Sequence, residues 1–153
     1  MPLAISVQAV HSRILAAVDC EVSPSGVASA WKPALDKVWA FLRTQPGLRT
    51  NGHNVFLYHQ PTQPWELIRC EFGVEVTRTF ARSGDVYASQ TPAGEAAVAI
   101  HRGPYSRLRE THAAIAHWMA ANDRQPAGQS WEIYGDPTPD EAQTETTVGY
   151  LLK

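Results

Sequence analysis

Several stretches of the chain alternate apolar and polar residues, and two others repeat apolar residues at helical spacing. Residues 4–22 are rich in Val, Ile and Ala with rough alternation around His11 to Arg13, which predicts one long strand or two short ones. Ser23-Pro24-Ser25-Gly26 interrupts this pattern and offers serine caps for a helix. Val27, Trp31, Leu35, Val38, Trp39 and Leu42 then recur at helical spacing. Pro33 is tolerated only in a first turn, so this helix either starts near Ala30 or is kinked. Gln45-Pro46-Gly47 ends it. A strand over 54–60, a Pro-bounded loop containing Trp65, and a strand over 67–80 follow, the last alternating over Cys70, Phe72, Val74 and Val76.

The second part repeats the order. Residues 94–101 predict a strand, and 103–122 a helix with Leu108, Ile115, Trp118 and Met119 on one stripe. Residues 130–135 and 143–152 predict two more strands, the first closed by the turn signal Gly135-Asp136-Pro137. Both parts thus read strand, helix, strand, strand, with 82–94 as the joining segment. Trp39, Gly47 and Tyr58 have counterparts in Trp118, Gly128 and Tyr134. One domain over 1–153, built of pseudo-repeats at about 4–80 and 86–152 around a pseudo-two-fold axis, is the expectation. Its class is α+β: duplicated β-α-β-β units forming a mainly antiparallel sheet, with helices on one face and a ligand groove on the other.

Alternation sorts the side chains into two sets. Trp131 and Ile133 point one way, Glu132 and Tyr134 the other. If Ile133 packs under the helices, Glu132 and Tyr134 lie on the open face. Matching Tyr58 to Tyr134 sets Phe56 opposite Glu132, with Val55 and Leu57 on the helix side. A carboxylate in an aromatic strand either points at water or lines a pocket for something positive or protonatable. Three rings and one carboxylate around an axis suit a flat, apolar, positively charged molecule.

Composition narrows the classes. The 153 residues are 44% hydrophobic and 18% charged, with a net charge of −2 and scattered cations. That argues against a nucleic-acid-binding surface, which needs clustered cations. No apolar run approaches the ~20 residues of a membrane span, and the first residues, Met1 to Ile5, lack the basic and apolar regions of a signal peptide. A cytoplasmic, reducing location follows as the expectation, with Cys20 and Cys70 as free thiols. The six histidines match no metal motif; His112 and His117 are five apart and do not share a helical face, so neither metal nor cofactor is expected. No nucleophile elbow or phosphate-cradling loop appears. Glu71, in a charged, glycine-containing face with Gly73 and Glu75, reads as solvated, and Trp39 and Trp118 as core.

The run TPAGEAAVAIHRGPYSRL, then WMAANDRQPAGQSWEIYGDP and the final TE strand resemble the GyrI-like small-molecule-binding domain. This module is the effector-binding half of AraC- and MerR-type multidrug-sensing regulators and also stands alone. The likeness spans roughly residues 4–152 and includes VSPSG, VFLYHQ and CEFGVEV. Glu75 departs from it, standing where relatives often have Pro. The resemblance implies a duplicated fold whose central groove binds drug-like, often cationic molecules, with Glu132 as the polar anchor. It favours Tyr105 as a phenol at the groove mouth. Tyr58 and Tyr134 would be walls, Phe56 part of the lining, and Trp65 a lid.

No DNA-reading segment precedes Ala4, so a regulatory role would not belong to this chain alone. The expected function is a stand-alone binding protein for hydrophobic, cationic or aromatic small molecules, as sensor, scavenger or drug antidote. The alternative, implied by some free-standing relatives, is a hydrolase of strained cyclopropane-containing natural products. There Glu132 would activate water and Tyr134 would protonate the leaving group. A homodimer, or a protein partner such as a topoisomerase, completes the expectations.

Overall fold

The computed structural model describes residues 3–61, 63, 65–136 and 138–153, with Asn51 described in its backbone alone. Met1, Pro2, Thr62 and Pro64 of the loop before Trp65, and Pro137 of the turn signal lie outside the described residues.

Among the described residues, eight strands and two α-helices follow one another as β1 (Ile5–Val10), β2 (Ile14–Val22), α1 (Val27–Arg43), β3 (Arg49–His59), β4 (Ile68–Val76), β5 (Tyr87–Gln90), β6 (Gly94–Arg102), α2 (Leu108–Ala121), β7 (Pro126–Tyr134) and β8 (Glu145–Leu152). All strands join one sheet in the order β1-β6-β8-β7-β3-β4-β2-β5, and every pairing is antiparallel. This is the expected α+β architecture, with β2-α1-β3-β4 repeated as β6-α2-β7-β8. The two units meet where β3 pairs with β7, and Phe56 lies directly opposite Glu132 there.

Of the two readings of residues 4–22, one long strand or two short ones, the second is found, with the break at residues 11–13. The segment expected only to join the halves contains β5, a four-residue strand on the free edge of β2. Helix α1 starts at Val27, not near Ala30, and contains Pro33 in its body. The carbonyl deprived of its partner belongs to exposed Ser29, where water can satisfy it. Ser23 and Ser25 do not cap the helix: a 3-10 turn over Pro24–Gly26 leads into it instead.

The links β1–β2 and β5–β6 are three residues each, yet each joins strands six positions apart in the sheet. A flat sheet would separate such strands by about 29 Å at ~4.8 Å per strand. Four Cα steps reach only about 14 Å. The sheet therefore has to curl, and the two links cross its hollow together: Arg13 N–H donates to Thr91 Oγ1 at 2.8 Å and Ser12 Oγ donates to the Thr91 carbonyl at 2.6 Å.

Curling gives the sheet two buried faces. On the helix face, Ala34, Leu35, Val38 and Leu42 of α1 pack on Ala16, Val18, Cys70, Phe72 and Val74. On the same face Leu108, Ile115 and Met119 of α2 pack on Ala97, Ala99 and Val148. In the hollow, Leu57, Trp131, Ala96 and Val98 form one cluster and Leu15, Ala17 and Val55 another, with Ile133 joining both. The alternation of Trp131 and Ile133 against Glu132 and Tyr134 is present, but the sides are exchanged. Val55, Leu57, Trp131 and Ile133 fill the hollow, while Phe56, Tyr58, Glu132 and Tyr134 lie on the helix side. Among the described residues no helix is long and apolar enough to cross a membrane.

Candidate ligand-binding cleft

Because α1 and α2 each cover only one half of the sheet, a cleft of about 910 Å³ remains between them on the helix face. The groove thus opens on the face that carries the helices, not on the opposite one. Strands β3 and β7 supply its floor through Phe56, Tyr58, Glu132 and Tyr134. Trp31 and Trp39 of α1 wall one side, and Tyr105 and Leu108 at the start of α2 the other. Trp39, expected in the core, is therefore half-buried at the cleft, where the Arg49 guanidinium sits 5.2 Å from its ring. Trp118 is partly buried against the α2 cluster. Trp65 is 79% exposed on the β3–β4 connection and does not line the cleft.

The rings form a continuous band. Phe56 and Tyr134 have centroids 4.7 Å apart, Tyr134 and Tyr105 meet edge to face at 5.3 Å, and Trp31 lies 6.1 Å from Phe56. Ring faces and edges in these spacings give a surface that takes up apolar and cationic groups.

Glu132 sits below this band, 5% exposed. Its Oε1 accepts hydrogen bonds from the hydroxyls of Tyr58 at 2.7 Å and Tyr134 at 2.6 Å. Its Oε2 lies 2.6 Å from His112 Nε2, and the other imidazole nitrogen is 2.7 Å from the Tyr150 hydroxyl. His112 thereby bridges the Glu132 carboxylate and the Tyr150 hydroxyl through its two ring nitrogens.

Burial alone would push the Glu132 carboxyl up. The His112 hydrogen bond and charge, followed by the Tyr134 and Tyr58 hydroxyls, outweigh it and hold the group below the usual carboxylate range. Burial first, then the Glu132 charge, push the Tyr58 and Tyr134 phenols up, so both stay protonated donors. Burial takes Tyr150 up to about 12.

His112 is the residue that sequence reasoning misses. The sequence weighs it only against His117, five residues away, and finds no shared helical face and so no role for it. The available signal is its position four residues after Leu108 and three before Ile115, on the flank of the stripe that α2 turns to the sheet. Glu71 also differs from expectation. On the hollow side it is 3% exposed, not solvated, accepting from Ser89 Oγ at 2.6 Å and from the Tyr87 hydroxyl, with His59 Nε2 at 2.5 Å.

The same fold is found in solved structures. The EcmrR C-terminal domain is 21% identical with a TM-score of 0.81, the match covering 100% of this chain and 99% of that one. SAV2435 bound to tetraphenylphosphonium is 11% identical with a TM-score of 0.74, covering 98% and 94%. A hydrolase from Listeria innocua is 12% identical with a TM-score of 0.64, covering 97% and 91%. No curated protein matches the chain. Residues 4–151 match the model of the GyrI-like small molecule binding domain, and the chain belongs to that family.

Proposed function

We propose that the cleft binds hydrophobic, aromatic small molecules that carry positive charge, as a sensor, scavenger or antidote for them. The observation that carries this reading is an ionised carboxylate, Glu132, held beneath a band of aromatic rings in an open cleft. Rings attract cations through their faces, and a buried anion adds field where water is scarce. A comparable cation, tetraphenylphosphonium, is bound by SAV2435.

Glu132→Gln tests it. The amide keeps an oxygen for the two tyrosines but removes the charge. Quenching of Trp31 and Trp39 fluorescence should report affinity for tetraphenylphosphonium about tenfold weaker, roughly 1.4 kcal/mol. Binding of neutral triphenylphosphine oxide should change little. Equal losses for the two would overturn the charge-based reading.

A hydrolase reading draws on one feature, the Glu132 carboxylate hydrogen-bonded to Tyr134 at the cleft floor. There Glu132 would orient the attacking water and accept its proton, and Tyr134, hydrogen-bonded to Glu132, would protonate the leaving group. Incubation with a strained cyclopropane electrophile separates the readings. Product beyond one equivalent supports hydrolysis, and saturable binding without product supports the binding module.

A further inference from the structure

We propose a second ligand site on the reverse of the sheet: a pocket in the hollow that takes small aromatic monocarboxylates. It stands apart from the cleft and does not depend on the reading given to that cleft.

The pocket, of about 330 Å³, opens where the β1–β2 and β5–β6 links cross the hollow. Trp131, Ile133 and Val98 line it from the sheet, and His11, Arg13 and Thr91 from the links. Strand β7 thus serves two cavities, since Glu132 and Tyr134 on its other side line the cleft. A cavity of this size takes a small organic molecule through apolar walls and a few placed polar groups. Here Trp131, Ile133 and Val98 are the walls for a single ring.

The polar groups offer protons and no negative charge. Among the described residues no carboxylate lines the pocket. Trp131 is 4% exposed, and its indole N–H meets no hydrogen-bond acceptor among the described residues. That nitrogen is not sealed in the core, because Thr146 Oγ1 is the only described side-chain N or O atom that is both fully buried and unpaired. The N–H therefore opens on the pocket. An indole nitrogen only donates, so the ligand atom that satisfies it has to be an acceptor.

Arg13 adds charge to that donor. Its Nη1 lies 3.1 Å from Glu75 Oε2, and its side chain is 47% exposed. A guanidinium carries five N–H bonds, so this pair leaves others for a ligand. Thr91 Oγ1 accepts from the Arg13 backbone N–H at 2.8 Å and keeps its own proton to donate. A carboxylate matches this set, because its two in-plane oxygens take charge-assisted bonds from a guanidinium and accept from neutral donors as well. A cation would meet the Arg13 charge with Glu75 already paired to it. The two faces of the sheet therefore carry sites of opposite preference.

The test titrates the full chain calorimetrically with benzoate and with benzamide, its neutral counterpart of the same shape. Benzoate should saturate one site and bind roughly tenfold tighter than benzamide, the worth of one hydrogen bond to a charged group. Its affinity should be the same when tetraphenylphosphonium is present. Arg13→Gln alone would leave Glu75 unpaired beside the pocket, so the charge is removed as the double variant Arg13→Gln/Glu75→Gln. That variant should bring benzoate down to the affinity of benzamide. Trp131→Phe keeps a ring but loses the N–H, and should weaken both probes severalfold.

Failure of benzoate to saturate overturns the proposal, as does benzamide binding equally well. Displacement of benzoate by tetraphenylphosphonium would place it in the cleft and also overturns it. So does full benzoate affinity in the double variant, whose result decides alone if Trp131→Phe does not fold. None of these results bears on whether the cleft binds cations.

Discussion

Glu132 and Glu71 sit on opposite faces of the sheet with opposite consequences. Each is buried and each accepts at least two neutral hydroxyl donors and faces a histidine. Glu132 lies under an open cleft, whereas Glu71 ties the edge strand β5 to β4 through Tyr87 and Ser89. Burial would raise the Glu71 carboxyl, but the hydrogen bonds from His59, Ser89 and Tyr87 and the Arg69 charge bring it down to about 2. A carboxyl depressed in the folded state stabilises the protein above its unfolded value near 4.5 and loses that contribution as pH falls towards 2. Glu71→Gln should cost roughly 3.5 kcal/mol at most at pH 7, at ~1.4 kcal/mol for each pH unit by which folding lowers the carboxyl. Its stability should then fall less between pH 4.5 and 2 than that of the unaltered chain. Urea unfolding at pH 7 and pH 3 checks this; parallel losses in the two proteins would show that Glu71 carries no such linkage.

At the scale of elements, two glycines let neighbouring strands meet across a third. Gly73 in β4 pairs with Ala17 and Val55, and a Cβ there would stand 2.8 Å from the Ala16 carbonyl oxygen. Gly149 in β8 pairs with Trp131 and Val98, and a Cβ there would stand 2.5 Å from Cζ2 and Nε1 of the Trp131 ring. The indole lies across the bare backbone of β8 and packs with Ala96 and Val98 of β6. Gly149→Ala should therefore cost about 1–3 kcal/mol by overpacking. Adding Trp131→Leu should recover part of that loss, because the smaller side chain vacates the same space. Additive costs in a double-mutant cycle would sink this account.

These contacts also explain what the sequence disclosed. The two helices, the repeat and the opposition of Phe56 to Glu132 were legible, because period and register survive in the order of residues. The side of the sheet was not. Val55, Leu57, Trp131 and Ile133 are as apolar as Phe56 and Tyr58, because the curled sheet buries both faces. Alternation separates two sets without saying which one faces helices. Tyr87 to Gln90 is too short to show a period, and its pairing with β2 is a tertiary fact. His112 was hidden because its partner, Glu132, is brought to it by the packing of α2 on the sheet.

At the scale of the whole molecule, the halves are not separable bodies. The strand leading each half pairs with the other: β1 lies on β6, and β5, just before β6, lies on β2. The β3–β7 ladder closes the centre, and the Glu132 network joins Tyr58 of the first half to His112, Tyr134 and Tyr150 of the second. Unfolding either half would strip the other of an edge strand, its central neighbour and part of the cleft floor. One cooperative transition is therefore expected, with near- and far-ultraviolet circular dichroism superimposing. A ligand in the cleft touches both halves and should stabilise them as one unit. At a tetraphenylphosphonium concentration 100 times its dissociation constant, linkage gives about 2.7 kcal/mol. For a chain of this size that corresponds to a rise in Tm of roughly 5–10 °C. Differential scanning calorimetry should show a single peak moved by that amount. A peak that splits, with one component unmoved by ligand, would mean that the exchanged strands and shared floor do not bind the halves together.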